Sequence, residues 1–255
     1  MRLKILSCNI RNALMREKQA KHEWYSRRQV LADLIRKFDP DILALQEDSE
    51  EQRRFLEAAF ARSHRIFCDP AFYNADVAYN ALLVRNGIEV GESGSFWIAP
   101  DERGVEKLEG SICQRHATWI RARARKQHIL IANVHLDHAT EPAFKRREAK
   151  LLQDRIGGVF QRSPAMAVML GDFNFVPDSA PYRLLEESGW RDAARMRGNE
   201  QATFLGWDYQ TADRIDYCWL SASLGERLMD YAVLQGPAEG PQPSDHCPVG
   251  VTFAF

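Results

Sequence analysis

Apolar residues recur along this 255-residue chain in two rhythms, and the changes of rhythm predict its elements. Val30, Leu31, Leu34, Ile35 and Phe38 repeat at three and four residues, the spacing that lines one face of a helix. Asp39-Pro40 stops that helix, because the residue before a proline is driven from the helical region. Ile42 to Leu45 then reads as a short buried strand ending in Gln46-Glu47. The pattern recurs three times. Ile129 to Val134 runs into His135, Ala165 to Leu170 runs into Gly171-Asp172-Phe173-Asn174, and Ile215 to Leu220 begins beside Asp213-Arg214 and contains Asp216. Phe144 to Phe160 carries Leu152, Ile156, Val159 and Phe160 at helical spacing and closes near Pro164. From Trp119 to Arg125 the chain alternates, with Arg121, Arg123 and Arg125 on one side, which predicts a half-exposed strand hairpinned through Lys126-Gln127-His128. Polar groups gather where strands finish.

Composition narrows the class. With 45% hydrophobic residues the chain can bury a large core, and one domain over 1–255 is expected. Lys+Arg number 34 against 35 Asp+Glu, so any attraction for phosphate must be local. Cys8, Cys68, Cys113, Cys218 and Cys247 form no CxxC pair and read as reduced thiols rather than a disulfide framework or a zinc site. Residues Met1 to Asn9 lack the apolar run of a signal peptide, and no stretch reaches the roughly 18 apolar residues of a membrane helix. The expectation is a soluble, cytoplasmic monomer without a membrane anchor. Gly236 to Pro243, rich in Pro and Gly, leads into Ser244-Asp245-His246 and reads as a loop carrying functional residues.

The polar groups at strand ends suggest chemistry. Asp172 and Asn174 are two apart, so on an extended backbone both side chains leave one face, and Gly171 allows close approach; the same residues are also turn formers. Glu47 is a hard oxygen ligand. Mg²⁺ needs only one or two carboxylates beside water and phosphate oxygens, so Glu47 with Asn9 or Asp245 suffices. Asn9 is otherwise an odd residue for a strand. His135 and His138 lie three apart, on opposite faces of a strand, which favours His135 alone as functional. His246, next to Asp245 and with Asp216 as a possible partner, has what it takes to fix a ring and raise its pKa.

In order, Asn9 in Ser-Cys-Asn-Ile-Arg, Glu47 in Leu-Gln-Glu, His135 in Asn-Val-His-Leu-Asp-His, Gly171-Asp172-Phe173-Asn174, Arg214-Ile215-Asp216-Tyr217 and Ser244-Asp245-His246 resemble the motifs of the endonuclease/exonuclease/phosphatase superfamily. Phe96 to Pro100 and Arg115-His116-Ala117-Thr118-Trp119 are similar to a bacterial branch with no assigned substrate. The resemblance implies a DNase I-like four-layer α/β sandwich, two packed β-sheets flanked by helices. It implies a phosphodiesterase using Mg²⁺ or Mn²⁺, most simply a nuclease. Metal ligands would come from Asn9, Glu47 and Asp245, and catalysis from His135, Asp172, Asn174, Asp216 and His246. Arg11 and Arg115 would contact phosphate. The base and electrophile roles stay open between Asp172, Asn174, His135 and His246.

The exonuclease III pattern after His135 is missing, as is an inositol phosphatase signature around Gly171 to Asn174. A phosphatase, or a phospholipid or small-molecule phosphodiesterase, is the runner-up, and a non-catalytic phosphate-binding adaptor is the alternative of another class. Arg11, Arg115, Arg121, Arg123 and Lys145-Arg146-Arg147 gathered at one cleft would favour nucleic acid; walls of Trp97, Trp207 and Tyr209 would favour a small molecule.

Overall fold

A computed structural model describes residues 2–73, 78–101, 103–104, 106–124, 126–160, 166–207 and 210–255. Arg125, Pro164, Ala165 and Tyr209 lie outside the described residues. In chain order the first half supplies β1 (Arg2–Asn9), α1 (Trp24–Phe38), β2 (Ile42–Gln46), α2 (Glu50–Phe60), β3 (His64–Phe67), β4 (Leu82–Arg85), β5 (Glu89–Trp97) and β6 (His116–Ala124). The second half supplies β7 (Gln127–His135), α3 (Pro142–Phe160), β8 (Met166–Asp172), α4 (Ala180–Glu187), β9 (Arg191–Asp192), α5 (Ala193–Arg197), β10 (Asp216–Leu220), α6 (Ala222–Gly225), β11 (Leu228–Val233) and β12 (Val249–Ala254).

Two six-stranded sheets form, ordered β11-β12-β1-β2-β4-β3 and β5-β6-β7-β8-β10-β9. Alternation along each strand gives three cores. Leu3, Ile5, Ile42, Ala44, Ile129, Ile131, Val168 and Leu170 fill the seam between the sheets. Leu6, Cys8, Leu43 and Leu45 face Leu31, Ile35 and Leu56 of the first two helices. Leu130, Ala132, Tyr217 and Trp219 face Leu152, Ile156 and Leu185 of α3 and α4. Helix, sheet, sheet, helix is the four-layer DNase I-like architecture that the resemblance implies.

α1 stops as expected, with Asp39 in the left-handed region at φ 55° and its N–H donating to Ile35. The hairpin also holds, Ala124 pairing with Gln127 and Arg123 with His128. The half-exposed reading of β6 fails at Arg121, which is 7% exposed. Its guanidinium donates to Glu92 and to the Val159 carbonyl at the end of α3, so the charge is covered and paired rather than presented to solvent.

Candidate active site

The seam between the sheets changes character along its length. Ser7 and Asn9 continue the inward face of Leu3 and Ile5, and Gln46 continues that of Ile42 and Ala44. On the facing sheet, Asn133 and His135 continue Ile129 and Ile131, Asp172 continues Val168 and Leu170, and Asp216 lies on the same face as Cys218. Register aligns the last group, since His135 and Asp216 each pair with Asp172 on the neighbouring strands. The apolar core thus runs out into polar side chains at one edge.

Those side chains meet across the seam. The Asn9 amide donates to Asp172 at 2.9 Å and to Glu47 at 3.2 Å, while its oxygen accepts from the Arg11 N–H. Glu47 has a left-handed backbone, φ 62°, which turns the chain directly after β2. Its other carboxylate oxygen accepts from the Asn12 N–H. Burial works against the Glu47 charge, but that bond, His246 and Arg11 outweigh it and hold the pKa below the usual range.

His246 Nδ1 lies 2.9 Å from Asp216 Oδ2, and His246 Nε2 lies 3.8 Å from Asp172. Burial opposes a charged ring, yet Asp216, with Asp172 and Asp245 beyond it, raises the pKa to about 10. The ring is an imidazolium at neutral pH. Burial raises Asp172 instead, with His246 opposing and Asp216 reinforcing, so that this carboxyl titrates far above a normal aspartate. His135 is its opposite among the histidines, pushed well below its ordinary value by burial and then by Arg115. Arg115 donates to Nδ1 of both His135 and His138, at 3.2 and 3.3 Å, and so fixes a neutral His135 whose Nε2–H faces Asp172 at 3.5 Å.

Two local expectations need correction. Asp172 ends its strand, and Asn174 has φ 50°, so the pair does not sit on an extended backbone. Asp172 accepts from the Asn174 N–H in a turn, and the Asn174 amide donates to Leu136, yet both side chains still line the same cleft. The opposite-faces reading of His138 also fails, because β7 stops at His135 and the loop brings His138 to the cleft wall. Gly171 allows close approach of a strand rather than a ligand: a Cβ there would meet the Val134 carbonyl oxygen at 1.8 Å.

The cleft encloses about 350 Å³ and contains Arg11, Glu47, Arg115, His135, Asp172, Asn174, Asp245 and His246. Arg11 is shared between Glu17 at 2.9 Å and Asp245 at 3.7 Å. Arg121 and Arg123 are bound to Glu92 and Glu89 on the outer hairpin, and Arg146 and Arg147 line a separate groove on α3. Trp97 packs on Phe72 and His116, and Trp207 stacks on His22. Lys145 is buried against the Asp137 carbonyl and Glu148, so that among the described residues neither the basic cluster nor the tryptophan walls form at this cleft.

Three supporting residues escaped the sequence reading. Gln46 donates to Asn133 at 2.6 Å, and Asn133 donates to the carbonyls of Leu45 and Ala81, stitching the sheets together directly beneath the site. Arg27 of α1, 1% exposed, donates to the carbonyls of Ile10, Arg11, His22 and Pro243. It ties the loop after β1 to the loop that carries His246. Asn133 was findable, two residues before His135 on an otherwise apolar face; nothing local marks Arg27.

Glu47, Asp172, Asp216 and Asp245 bring four carboxylates together against Arg115, His246 and an Arg11 already shared with Glu17. Hard oxygen donors in surplus over cations suit a divalent cation. Among the described residues, donor atoms of Asp172, Asp216 and His246 lie within 4.8 Å of one another.

The sequence matches the model of the Endonuclease/Exonuclease/phosphatase family over residues 6–246. The chain belongs to that family. Members of the family are metal-dependent hydrolases of phosphate esters, and this chain is one of them. A family protein from Bacteroides thetaiotaomicron has a TM-score of 0.86 at 22% identity, over 100% of this chain and 99% of that one. A mannosyl-6-phosphatase from the same species matches at TM-score 0.86 and 22% identity, over 99% of this chain and 100% of that one. Truncated TDP2 from Caenorhabditis elegans matches at 0.74 and 18%, over 100% and 98%. At these identities the likeness shows the fold. No curated protein matches the sequence. Among the described residues, no helix is long and apolar enough to cross a membrane.

Proposed function

We propose that this family member hydrolyses small phosphate esters, with residues 1–255 acting as one catalytic domain. The observation that carries the reading is one cleft joining Arg115, neutral His135, Asp172 and the His246–Asp216 pair, with, among the described residues, no further arginine or lysine beyond Arg11 on its wall. A single phosphate group matches two guanidinium groups. A polymer backbone calls for a longer basic track, which supports a small ester over the nucleic acid that the resemblance first suggests.

Glu47 would hold Mg²⁺ or Mn²⁺, with Asn9 and Asp245 adjoining it, and the ion would act as a Lewis acid on a nonbridging phosphate oxygen. The chain's own residues do the rest. Asp172, a carboxyl of raised proton affinity beside Asn174, orients the attacking water and takes its proton while the bond from phosphorus to the ester oxygen breaks, the leaving oxygen taking up a proton from solvent. His246, already an imidazolium and held by Asp216, stabilises the negative charge that builds on the phosphoryl oxygens. His135, neutral and oriented by Arg115, donates from Nε2 to the same oxygens.

The test is hydrolysis of phenyl phosphate, mannose 6-phosphate, DNA and RNA by the protein and its His246→Ala variant in Mg²⁺, Mn²⁺ and EDTA. Metal-dependent release of phosphate from a small ester, abolished by chelator and by the substitution, is expected. Faster cleavage of polymer than of any small ester would return the protein to the nucleases. Binding without turnover would make it an adaptor.

A further inference from the structure

We infer that the organic part of the substrate is apolar, an alkyl or aryl group on the phosphate, and that it rests on a wall made by Met15, Phe204 and Ile215. The inference deepens the phosphoesterase reading of the same cleft and rests on it. Thirteen residues line that cleft. Eight are the groups already proposed for metal, phosphate and water, and His138 is held by Arg115. What remains is Met15, Cys113, Phe204 and Ile215. None of these offers the amide, hydroxyl or carboxylate that reads a sugar hydroxyl or a base edge, and a hydroxyl placed against Phe204 and Ile215 would give up water without replacement.

The wall begins at the reacting atoms and is fixed before substrate arrives. The Phe204 ring lies 4.8 Å from the His246 ring, and the Phe204 backbone exchanges hydrogen bonds with Asp213 in both directions. From there the apolar surface continues outward. Leu14, Met15 and Ile112, beside Cys113, are 61%, 49% and 55% exposed. Val176, also exposed, lines a second apolar pocket that shares Asn174 with the cleft. Of the seven exposed large hydrophobics among the described residues, Met15 lines the cleft, Val176 lines the adjoining pocket, and Leu14 and Ile112 are the chain neighbours of the lining residues Met15 and Cys113. Singly, exposed apolar side chains call for no explanation, but collected at the mouth of a polar site they mark a surface that water leaves when ligand binds.

The experiment compares ethyl, butyl, hexyl and phenyl phosphate with mannose 6-phosphate and glycerol 3-phosphate, in Mg²⁺ and Mn²⁺. We expect kcat/KM to rise about fourfold per methylene until the wall is covered. Hexyl and phenyl phosphate should exceed both polyol phosphates. Met15→Ser, an exposed substitution that the fold should tolerate, lowers the ratio of hexyl to ethyl turnover, and Ile215→Ser lowers it further. A flat dependence on chain length, or mannose 6-phosphate outrunning hexyl phosphate, would overturn this inference while leaving the phosphoesterase reading intact. Absence of turnover with every ester and either metal would overturn both.

Discussion

The seam between the two sheets has two ends built on the same backbone plan. At one end Leu3, Ile42, Ile129 and Leu220 close a dry core. At the other, the same inward-facing rows on the same strands carry Asn9, Gln46, His135, Asp172 and Asp216, nearly all as deeply buried. Burying polar groups costs about 1–3 kcal/mol for each left without a partner, so the polar end survives only as a closed network. Asn9 to Asp172, Gln46 to Asn133 and His246 to Asp216 supply the links. The apolar end holds the sheets together; the polar end uses that rigidity to place charges.

Substitutions at the two ends should therefore fail in different ways. The largest effect is expected for Asp216→Asn, which leaves His246 without its anionic partner. Loss of a positioned, charge-fixing group should lower kcat by roughly 10²–10⁴-fold. Urea melts would show whether the protein stays folded; a kcat within threefold of the parent would break the distinction between the ends. At the apolar end, Ile131→Ala removes a fully buried side chain and should cost about 2–5 kcal/mol of stability, with kcat per folded molecule nearly unchanged.

His116, on the inward face of β6, sharpens the comparison through pH. Its Nε2–H donates to the Tyr79 carbonyl, and burial pushes its pKa down to about 4. The unfolded chain takes up a proton near pH 6.5 that the folded ring refuses, so this contribution to stability is present above pH 6.5 and is lost on acidification towards pH 4. Between pH 7 and pH 5 the loss amounts to about 2 kcal/mol. Denaturant titrations of the protein and His116→Gln should diverge over that window, and parallel curves would exclude the effect.

Asn133→Ala gives the smallest change in stability, about 1–3 kcal/mol from the stranded Gln46, Leu45 and Ala81 groups. It should also weaken activity, because the link between Glu47 and His135 runs through it. A Mg²⁺ half-saturation that stays constant while only the melting temperature falls would reduce Asn133 to a structural role.

Much of this was legible in order along the chain. The two apolar periods located α1, β2, β7, β8 and β10, and the polar residues beside those strands included Glu47, His135, Asp172, Asn174 and Asp216, whereas Arg11, Arg115, Asp245 and His246 came from motifs elsewhere in the chain. Local rules failed where they presumed that an element continued. Asn174 and His138 were read on extended backbone, but both strands stop just before them. Arg121 alternates like a surface residue, yet α3 covers it. Arg146 and Arg147 are as basic as Arg115 but lie on the outer face of α3.

By itself the sequence determined the alternation of strands and helices, the family and the kind of chemistry, because periodicity and residue type are local properties that survive without contacts. The tertiary structure decided which distant groups meet. Asn9 reaches Asp172 across 163 residues, and Arg27 reaches Pro243 across 216. Such pairs depend on how two sheets stack and on where loops cross. The same packing turned most of the arginines away from the cleft and left an apolar wall beside His246, which no count of charges along the chain could reveal.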